Sequence, residues 1–382
     1  MENSLIKDIG RSYIVSSLLP AAFFVSLGVL IFRGFVPSII VQRVIEQDQY
    51  YGSQLLLFAA LIVWVAFCLY SATDWTVRLY EGYYLPKVLR KMMAKSLRKW
   101  QHKKTKKIRK AISYKNQEDM NSGDYFDEYF GKALVQIENL ERIMPIDENL
   151  VMPTRFGNIL LASELYPQEK YHMNGLSLWT RLINVIPDSF KGVMEEKNNQ
   201  MIFLLNSSLL SYIISGFGFI AGIVNLPCQL FWDSSLCYGF GNLQSSLFGN
   251  QRVYVSAVEY LATGIIFLIL GYIIYRLSLP AAEGFGLIVR SGFDLYRFEL
   301  LRQMNYPVPA AIDEEKTQWK RISEYMAAGD KLALEPMKIN YFVREELLDG
   351  VDPSERKKQK PVERRAVVKR LYGEPPRHNR KL

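Results

Sequence analysis

Long apolar segments alternate along this chain with segments rich in Lys and Arg. Four of the apolar segments reach the length of about 20 residues that a helix needs to cross the core of a bilayer. They cover residues 12–32, 54–73, 201–226 and 253–279. Because unpaired backbone groups are costly in lipid, apolar segments of this length predict helices. The pattern therefore predicts an all-α membrane protein with four transmembrane helices rather than a soluble protein with four buried helices.

The distribution of basic residues predicts how these helices cross the membrane. Residues 78–110, directly after the second apolar segment, hold thirteen Lys and Arg residues and one acid, Glu81. Residues 227–252, between the third and fourth segments, hold only two charged residues. Segments dense in Lys and Arg stay on the cytoplasmic side of a membrane. An even number of spans then predicts that both termini are cytoplasmic.

The same pattern divides the chain into five parts. Two transmembrane hairpins, residues 1–75 and 201–280, flank a basic helical cytoplasmic domain, residues 76–200. Residues 281–345 carry an apolar stripe at helical spacing and are predicted to pack on that domain. Residues 346–382 are rich in Lys and Arg but poor in large apolar side chains. Such a composition is typical of disorder.

Two local features of the region after the fourth segment lead to specific expectations. Pro280 predicts a kink, with a new helix beginning after it and continuing to about Met304. Asp294 lies four residues after Arg290 and three before Arg297. This spacing predicts local ion pairs along one helix.

The net charge adds a preference for anionic partners. Lys and Arg outnumber Asp and Glu by 47 to 38, which gives +9 at neutral pH. The cations concentrate in a predicted helix over residues 86–112, where Leu89, Met93, Leu97 and Trp100 form an apolar stripe. Anionic lipid headgroups are the predicted partner of its lysines, namely Lys99, Lys103, Lys104, Lys106, Lys107 and Lys110. A merely solvated face explains the same pattern, and nucleic acid is disfavoured because no base-reading motif accompanies the charge.

Candidate chemistry outside the membrane is sparse. Polar side chains that could form a cluster beneath the membrane are Arg155, Asn158, Glu164, His172, Trp179 and Arg181. In a catalytic interpretation, Glu164 or His172 acts as a base. In the favoured structural interpretation, Arg155 pairs with Glu164 and Trp179 packs at the bilayer boundary, since no nucleophile or phosphate loop stands at an informative spacing. No CxxC, HExxH or Cys/His cluster occurs, so the sequence predicts neither a metal nor a cofactor.

The third predicted span has a small and polar face. Its members are Asn206, Ser207, Ser211, Ser215, Gly218 and Gly222. Small residues four apart let helices approach closely, and hydroxyls can bridge them, so this face predicts helix packing in a homo-oligomer. The alternative is a water-filled pore lined by the same face. Cys228 and Cys237 share the predicted external loop, where a disulfide can form.

Four short phrases carry a resemblance to known proteins. They are PTRFGN at 153–158, ELYP at 164–167 followed by Tyr171, WTRL at 179–182 and FDLYR at 293–297. They resemble those of a family of bacterial multi-pass membrane proteins of uncharacterised function. The resemblance implies a bacterial inner-membrane location and brings no known activity, cofactor or site residue. The order of two spans, a cytoplasmic body and two more spans is also similar to bestrophin-type anion channels, by topology alone.

Side chains suited to recognition are abundant in this sequence, whereas catalytic constellations do not occur in it. We therefore predict a non-enzymatic bacterial inner-membrane protein that forms homo-oligomers. Its cytoplasmic body would bind a protein partner or anionic lipid, as a scaffold or a sensor. An oligomeric ion channel lined by the third span is the first alternative. A membrane-bound enzyme acting on lipid or nucleotide is the second.

Overall fold

A computed structural model describes residues 12–32, 51–118, 123–230 and 257–328. All regular secondary structure in this part of the chain is helical, and it contains no strand. The predicted all-α class is therefore confirmed for the described residues. The basic tail predicted over residues 346–382 lies outside them.

The first two apolar segments form helices with local irregularities. Helix α1 spans Leu19–Phe32 and follows a π-helical turn at Ile14–Leu18. The wider turn stands directly before Pro20, which has no amide hydrogen to donate to a regular helical ladder. Helix α2 spans Tyr51–Ser71, and α3, Thr73–Glu81, continues from it at a bend of 58°.

The third and fourth apolar segments belong to two very long helices. Helix α8 spans Asp188–Leu230 with 43 residues, and α9 spans Ala257–Gln303 with 47 residues. At about 1.5 Å per residue they are about 65 and 70 Å long, twice the hydrocarbon thickness of about 30 Å. Three helices, α8, α9 and the first helical segment, are long and apolar enough to cross a membrane. The bent pair of α2 and α3 supplies a fourth if it counts as one span.

The predicted helix break at Pro280 is wrong, because α9 runs through this residue without ending. A proline within a helix removes one backbone hydrogen bond. Ser278 and Ala282, on either side of it, are fully buried. We attribute the continuity of α9 to this packing on both sides of Pro280.

The four apolar helices share one core. Residues from α1, α2, α8 and α9 meet in a single buried cluster, made of Ala21, Phe24, Ala66, Leu69, Leu210, Ile214 and Phe267. On the outside of the same helices, Phe23, Leu56, Phe217 and Ile266 are each more than half exposed. Large apolar side chains on an outer surface are expected where the solvent is lipid. The described fold is that of a membrane protein.

Five further helices lie outside the apolar segments. They are α4, Lys87–Glu118; α5, Gly123–Ile143; α6, Arg155–Tyr171; α7, Gly175–Val185; and α10, Ile312–Ala328. Together with the second half of α9 they form what we call the helical body.

The core of the helical body is formed by α6, α7, α9 and α10. Its fully buried side chains include Met173, Leu178, Leu182, Phe293 and Trp319. A separate cluster joins the body to the apolar helices, with Phe156 of α6 buried near residues of α8 and α9. The long helices therefore run from the apolar core into the body.

Pro153 followed by Thr154 predicts the start of a helix, and Pro167 predicts that this helix ends before it. Helix α6 begins as predicted but ends later. Thr154 is its N-cap, and the Thr154 hydroxyl accepts a hydrogen bond from the amide of Gly157 at 3.0 Å. The predicted end before Pro167 is wrong, because α6 continues through this residue to Tyr171. Pro167 is buried against Gly175, where an added β-carbon would lie 2.8 Å from the proline ring. We infer that this packing offsets the missing backbone hydrogen bond.

Candidate functional site

Helix α4 presents its cations to the surface. Five of the lysines predicted to meet lipid are exposed, namely Lys99, Lys103, Lys104, Lys106 and Lys107. The side chain of Lys110 lies outside the described residues. On the opposite side, Leu97 and Trp100 are half-buried and Ile108 is buried, whereas Leu89 is exposed. Only the C-terminal part of the apolar stripe on α4 therefore packs on the helical body.

Polar contacts fix which side of α4 faces outwards. The Gln101 side chain is buried and donates a hydrogen bond to the Pro145 carbonyl at 2.7 Å. One turn away, the Arg98 guanidinium donates to the Asn149 carbonyl at 3.4 Å. Both partners belong to the short connection between α5 and α6. These bonds hold α4 on the body and leave its lysine-rich face free.

A cleft of about 350 Å³ opens where α4 and α6 approach the end of the fourth apolar segment. We call it the boundary cleft. Its apolar wall includes Leu97 and Trp100 from α4, Ile159 from α6 and Leu279 from α9. Its volume falls in the range of about 300–1,000 Å³ that is usual for small-molecule sites.

The charged residues of the boundary cleft are mostly cations. Lys104, Arg155 and Arg276 line it together with one acid, Glu283. The Lys104 ammonium lies 4.6 Å from the centre of the Trp100 ring. Arg155 is the first residue of α6, and a helix N-terminus carries partial positive charge. In the described ranges, none of the three cations forms a salt bridge.

The predicted pair of Arg155 and Glu164 does not form. Both residues lie on α6, nine positions apart. At about 3.6 residues per turn and about 1.5 Å per residue, this separation places them on opposite faces and about 13 Å apart. Arg155 therefore lines the boundary cleft, while Glu164 faces elsewhere.

The other members of the predicted polar cluster are also separated. Asn158 is fully buried and makes hydrogen bonds to the backbone of the preceding loop. Arg181 donates to the backbone of its own helix at 2.6 Å. His172 ends α6 with a left-handed φ of 59°. Trp179 packs on Phe293, with ring centres 5.8 Å apart, so it belongs to the body core and not to the bilayer boundary.

A polar cluster does form around Asp294, where the sequence did not predict one. Its carboxylate accepts hydrogen bonds from the hydroxyls of Tyr166 at 2.8 Å and Tyr171 at 2.5 Å. The ammonium of Lys170 lies 3.3 Å from the same carboxylate. Burial, followed by the hydrogen bond to Asp294, raises the pKa of Tyr171 to about 12. Two of the phrases singled out in the sequence, ELYP with Tyr171 and FDLYR, thus meet in space.

Neither Arg290 nor Arg297 forms the predicted ion pair with the Asp294 carboxylate in the described structure, although Arg297 donates to the Asp294 carbonyl. Arg290 donates to the Ala162 carbonyl at 2.9 Å and to a carbonyl of α5. Arg297 pairs with Glu315 of α10 at 2.6 Å, and both side chains are largely buried. The i, i+4 rule describes isolated helices, whereas α9 is surrounded by other helices here. These bonds join α9 to α5, α6 and α10, which is a structural role.

The polar residues of the third apolar segment are buried within the chain. Asn206, Ser207, Ser211 and Ser215 are each at most 5% exposed. The Asn206 amide donates to the Ser16 carbonyl at 2.8 Å, and the Ser215 hydroxyl donates to a carbonyl of α9 at 2.7 Å. This face therefore contacts the N-terminal span and α9 of the same chain.

The glycines of the third span let two helices approach closely. A β-carbon on Gly218 would lie 2.8 Å from the backbone nitrogen of Gly264. One on Gly222 would lie 2.6 Å from the side chain of Leu261. Both neighbours belong to α9. The predicted small-residue contact is therefore made between α8 and α9 of one chain.

Two further expectations concern cysteines and metals. Cys228 belongs to the last turn of α8, and Cys237 lies outside the described residues, as does the predicted disulfide between them. Among the residues that the structure does describe, no group of three or more His, Cys, Asp or Glu side chains is placed to hold a metal ion.

No family model matches this chain, and no curated protein or solved structure matches it either.

Proposed function

We propose that this chain is a non-enzymatic protein of the bacterial inner membrane, with four spans and both termini in the cytoplasm. Its helical body binds anionic lipid headgroups at the inner leaflet. The observation that carries this proposal is the row of exposed lysines on α4, a helix that begins close to the end of the second span.

The connection between the second span and α4 supports this placement. Residues 82–86 connect α3 to α4, so the first turns of α4 stay near the membrane. Trp75, Tyr83 and Tyr84 in this region are about half exposed. Trp and Tyr are enriched at the interface between bilayer and water. Cations that follow such a belt lie near lipid headgroups, where each contributes about 1 kcal/mol of attraction.

A cytoplasmic protein partner is a second candidate for the helical body. Leu176, Leu295 and Ile312 are each more than 60% exposed, although they lie on helices outside the apolar segments. Exposed apolar side chains favour contact with another protein when they are contiguous. The small-residue face of α8 is covered by α9 of the same chain, so the proposed function does not require a homo-oligomer.

The test compares two lysine pairs at the same helical spacing. Lys103 and Lys107 lie on α4, whereas Lys316 and Lys320 lie on α10, which contacts α9 near Arg297. That contact is about 27 Å along α9 from the end of the fourth apolar segment. Replacing Lys103 and Lys107 with Gln should weaken the preference of the reconstituted protein for phosphatidylglycerol over phosphatidylcholine, by up to about fivefold per charge.

The variant in which Lys316 and Lys320 of α10 are replaced with Gln serves as the control. It should keep the preference for phosphatidylglycerol. Raising the salt concentration should weaken the preference of the unchanged protein, because salt screens exposed charges. Equal lipid preference in the unchanged protein and the α4 variant would contradict the proposed function.

A further inference from the structure

We propose that the boundary cleft is a discrete site for one acidic phospholipid. Lys104, Arg155 and Arg276 would hold its phosphate, and its acyl chains would follow α9 into the membrane. This inference rests on the proposed function, because it places an anionic lipid at the same membrane boundary. It goes further, because it distinguishes one bound molecule from diffuse attraction along α4.

The charge of the cleft selects an anion. Its lining holds three cations from three different helices and one carboxylate, that of Glu283. Within the described part of the chain, no carboxylate neutralises these cations through a salt bridge. A phosphate that enters the cleft is attracted to each of these cations. Arginine also suits phosphate because its planar fork can bind two oxygens at once.

The apolar part of the cleft selects a lipid over a free phosphate. Leu97, Trp100, Ile159 and Leu279 offer contacts that an inorganic anion cannot use. Ile273 lies three residues before Arg276 on the same face of α9 and is about half exposed. Ile269, one turn further into the span, is also about half exposed. An apolar surface therefore leads from the cations down the fourth span, in the direction that an acyl chain must take.

The geometry also separates this site from the exposed lysine row. Lys104 lines the cleft, whereas Lys103 and Lys107 do not. Arg155 and Arg276 come from α6 and α9 and contribute nothing to the surface charge of α4. Changes to these two arginines therefore test the cleft, and changes to Lys103 and Lys107 test the surface.

The experiment uses the full-length protein in detergent with equimolar phosphatidylglycerol and phosphatidylcholine. Native mass spectrometry counts the lipid molecules that stay bound to each protomer. We expect one retained phosphatidylglycerol per protomer in the unchanged protein. The double change Arg155→Gln with Arg276→Gln should lower the ratio of retained phosphatidylglycerol to phosphatidylcholine by about 25-fold, because each cation near a headgroup contributes about fivefold.

Three controls make the result specific. Arg155→Lys with Arg276→Lys keeps both charges and should keep most of the preference. Glu283→Gln removes the carboxylate of the cleft and should increase retention. An unchanged elution volume and unfolding temperature of each variant show that a loss of lipid does not come from misfolding.

The outcomes separate the cleft from the proposed function. If the ratio falls with Lys103→Gln and Lys107→Gln but not with the two arginine changes, the cleft is overturned and the proposed function stands. If neither the lysine changes nor the arginine changes alter the ratio, the lipid site in the cleft and the proposed function are both overturned. If glycerol 3-phosphate binds as tightly as the whole phospholipid, the site recognises free phosphate, and the assignment to a lipid is overturned.

Discussion

Gly218 lies where α8 and α9 approach each other closely. A β-carbon there would lie 2.8 Å from a backbone nitrogen of α9, which cannot move aside as a side chain can. We therefore expect Gly218→Ala to destabilise the protein by about 1–3 kcal/mol, the usual range for overpacking. Thermal unfolding in detergent measures this difference.

Gly216 provides a matched control two residues away on the same helix. A β-carbon at Gly216 would meet nothing within 4 Å. Gly216→Ala should leave the unfolding temperature unchanged or raise it, because alanine favours a helix over glycine by about 1 kcal/mol. Equal loss of stability in both variants would show that the close approach of the two helices is not what Gly218 provides.

At the residue scale, the sequence predicted several side chains that form contacts, but it did not predict the partners of these side chains. The spacing of the small residues from Asn206 to Gly222 predicted a contact face, since helical periodicity depends on local spacing alone. It could not show that the face is covered by the same chain. Asp294 shows the same limit, because its partners Tyr166 and Tyr171 lie more than 120 residues away. Their proximity depends on the tertiary fold.

Helix α10 depends on one buried ion pair for part of its attachment. Arg297 and Glu315 join α9 to α10 at 2.6 Å, with side-chain exposures of 16% and 7%. Glu315→Gln removes the charge that neutralises Arg297, and breaking a buried pair in this way costs about 3–5 kcal/mol. Since α10 is a peripheral helix of the body, we expect it to detach before the rest unfolds.

Limited proteolysis can detect this detachment as faster cleavage within residues 304–328. Glu299→Gln breaks an exposed pair with Arg302, which lies on α9 itself, and is the control. Exposed pairs contribute about 0–1 kcal/mol, so this variant should resist the protease as the unchanged protein does. Identical cleavage of both variants would argue against the ion pair as the attachment of α10.

At the element scale, the sequence predicted helix starts more accurately than helix ends. Thr154 caps α6 through its own hydroxyl, a local interaction that the sequence displays directly. Pro167 and Pro280 predicted helix ends, but both helices continue past them. The sequence shows that each proline removes one backbone hydrogen bond. It does not show the packing that offsets this loss, because that packing comes from other helices.

At the scale of the whole molecule, the proposed orientation makes a direct prediction for the segment between the third and fourth spans. An epitope tag inserted within residues 227–252 should be accessible from outside intact spheroplasts. A tag at either terminus should become accessible only after the membrane is permeabilised. The physical reason is that Lys and Arg concentrate in residues 78–110, and segments dense in these residues tend to stay in the cytoplasm.

The reverse accessibility pattern would place the lysine row of α4 on the outer side. It would contradict the inner-leaflet location on which the proposed function depends. The sequence supports the orientation through the charge of its loops, which is a statistical property of the chain.

The continuity of α8 and α9 has a mechanical consequence. Each helix is twice as long as the hydrocarbon layer, and the two pack together for much of this length. A paired rod of this kind resists bending, because bending would break hydrogen bonds along both backbones. A small tilt of the rod within the membrane must therefore swing its far end through a larger arc.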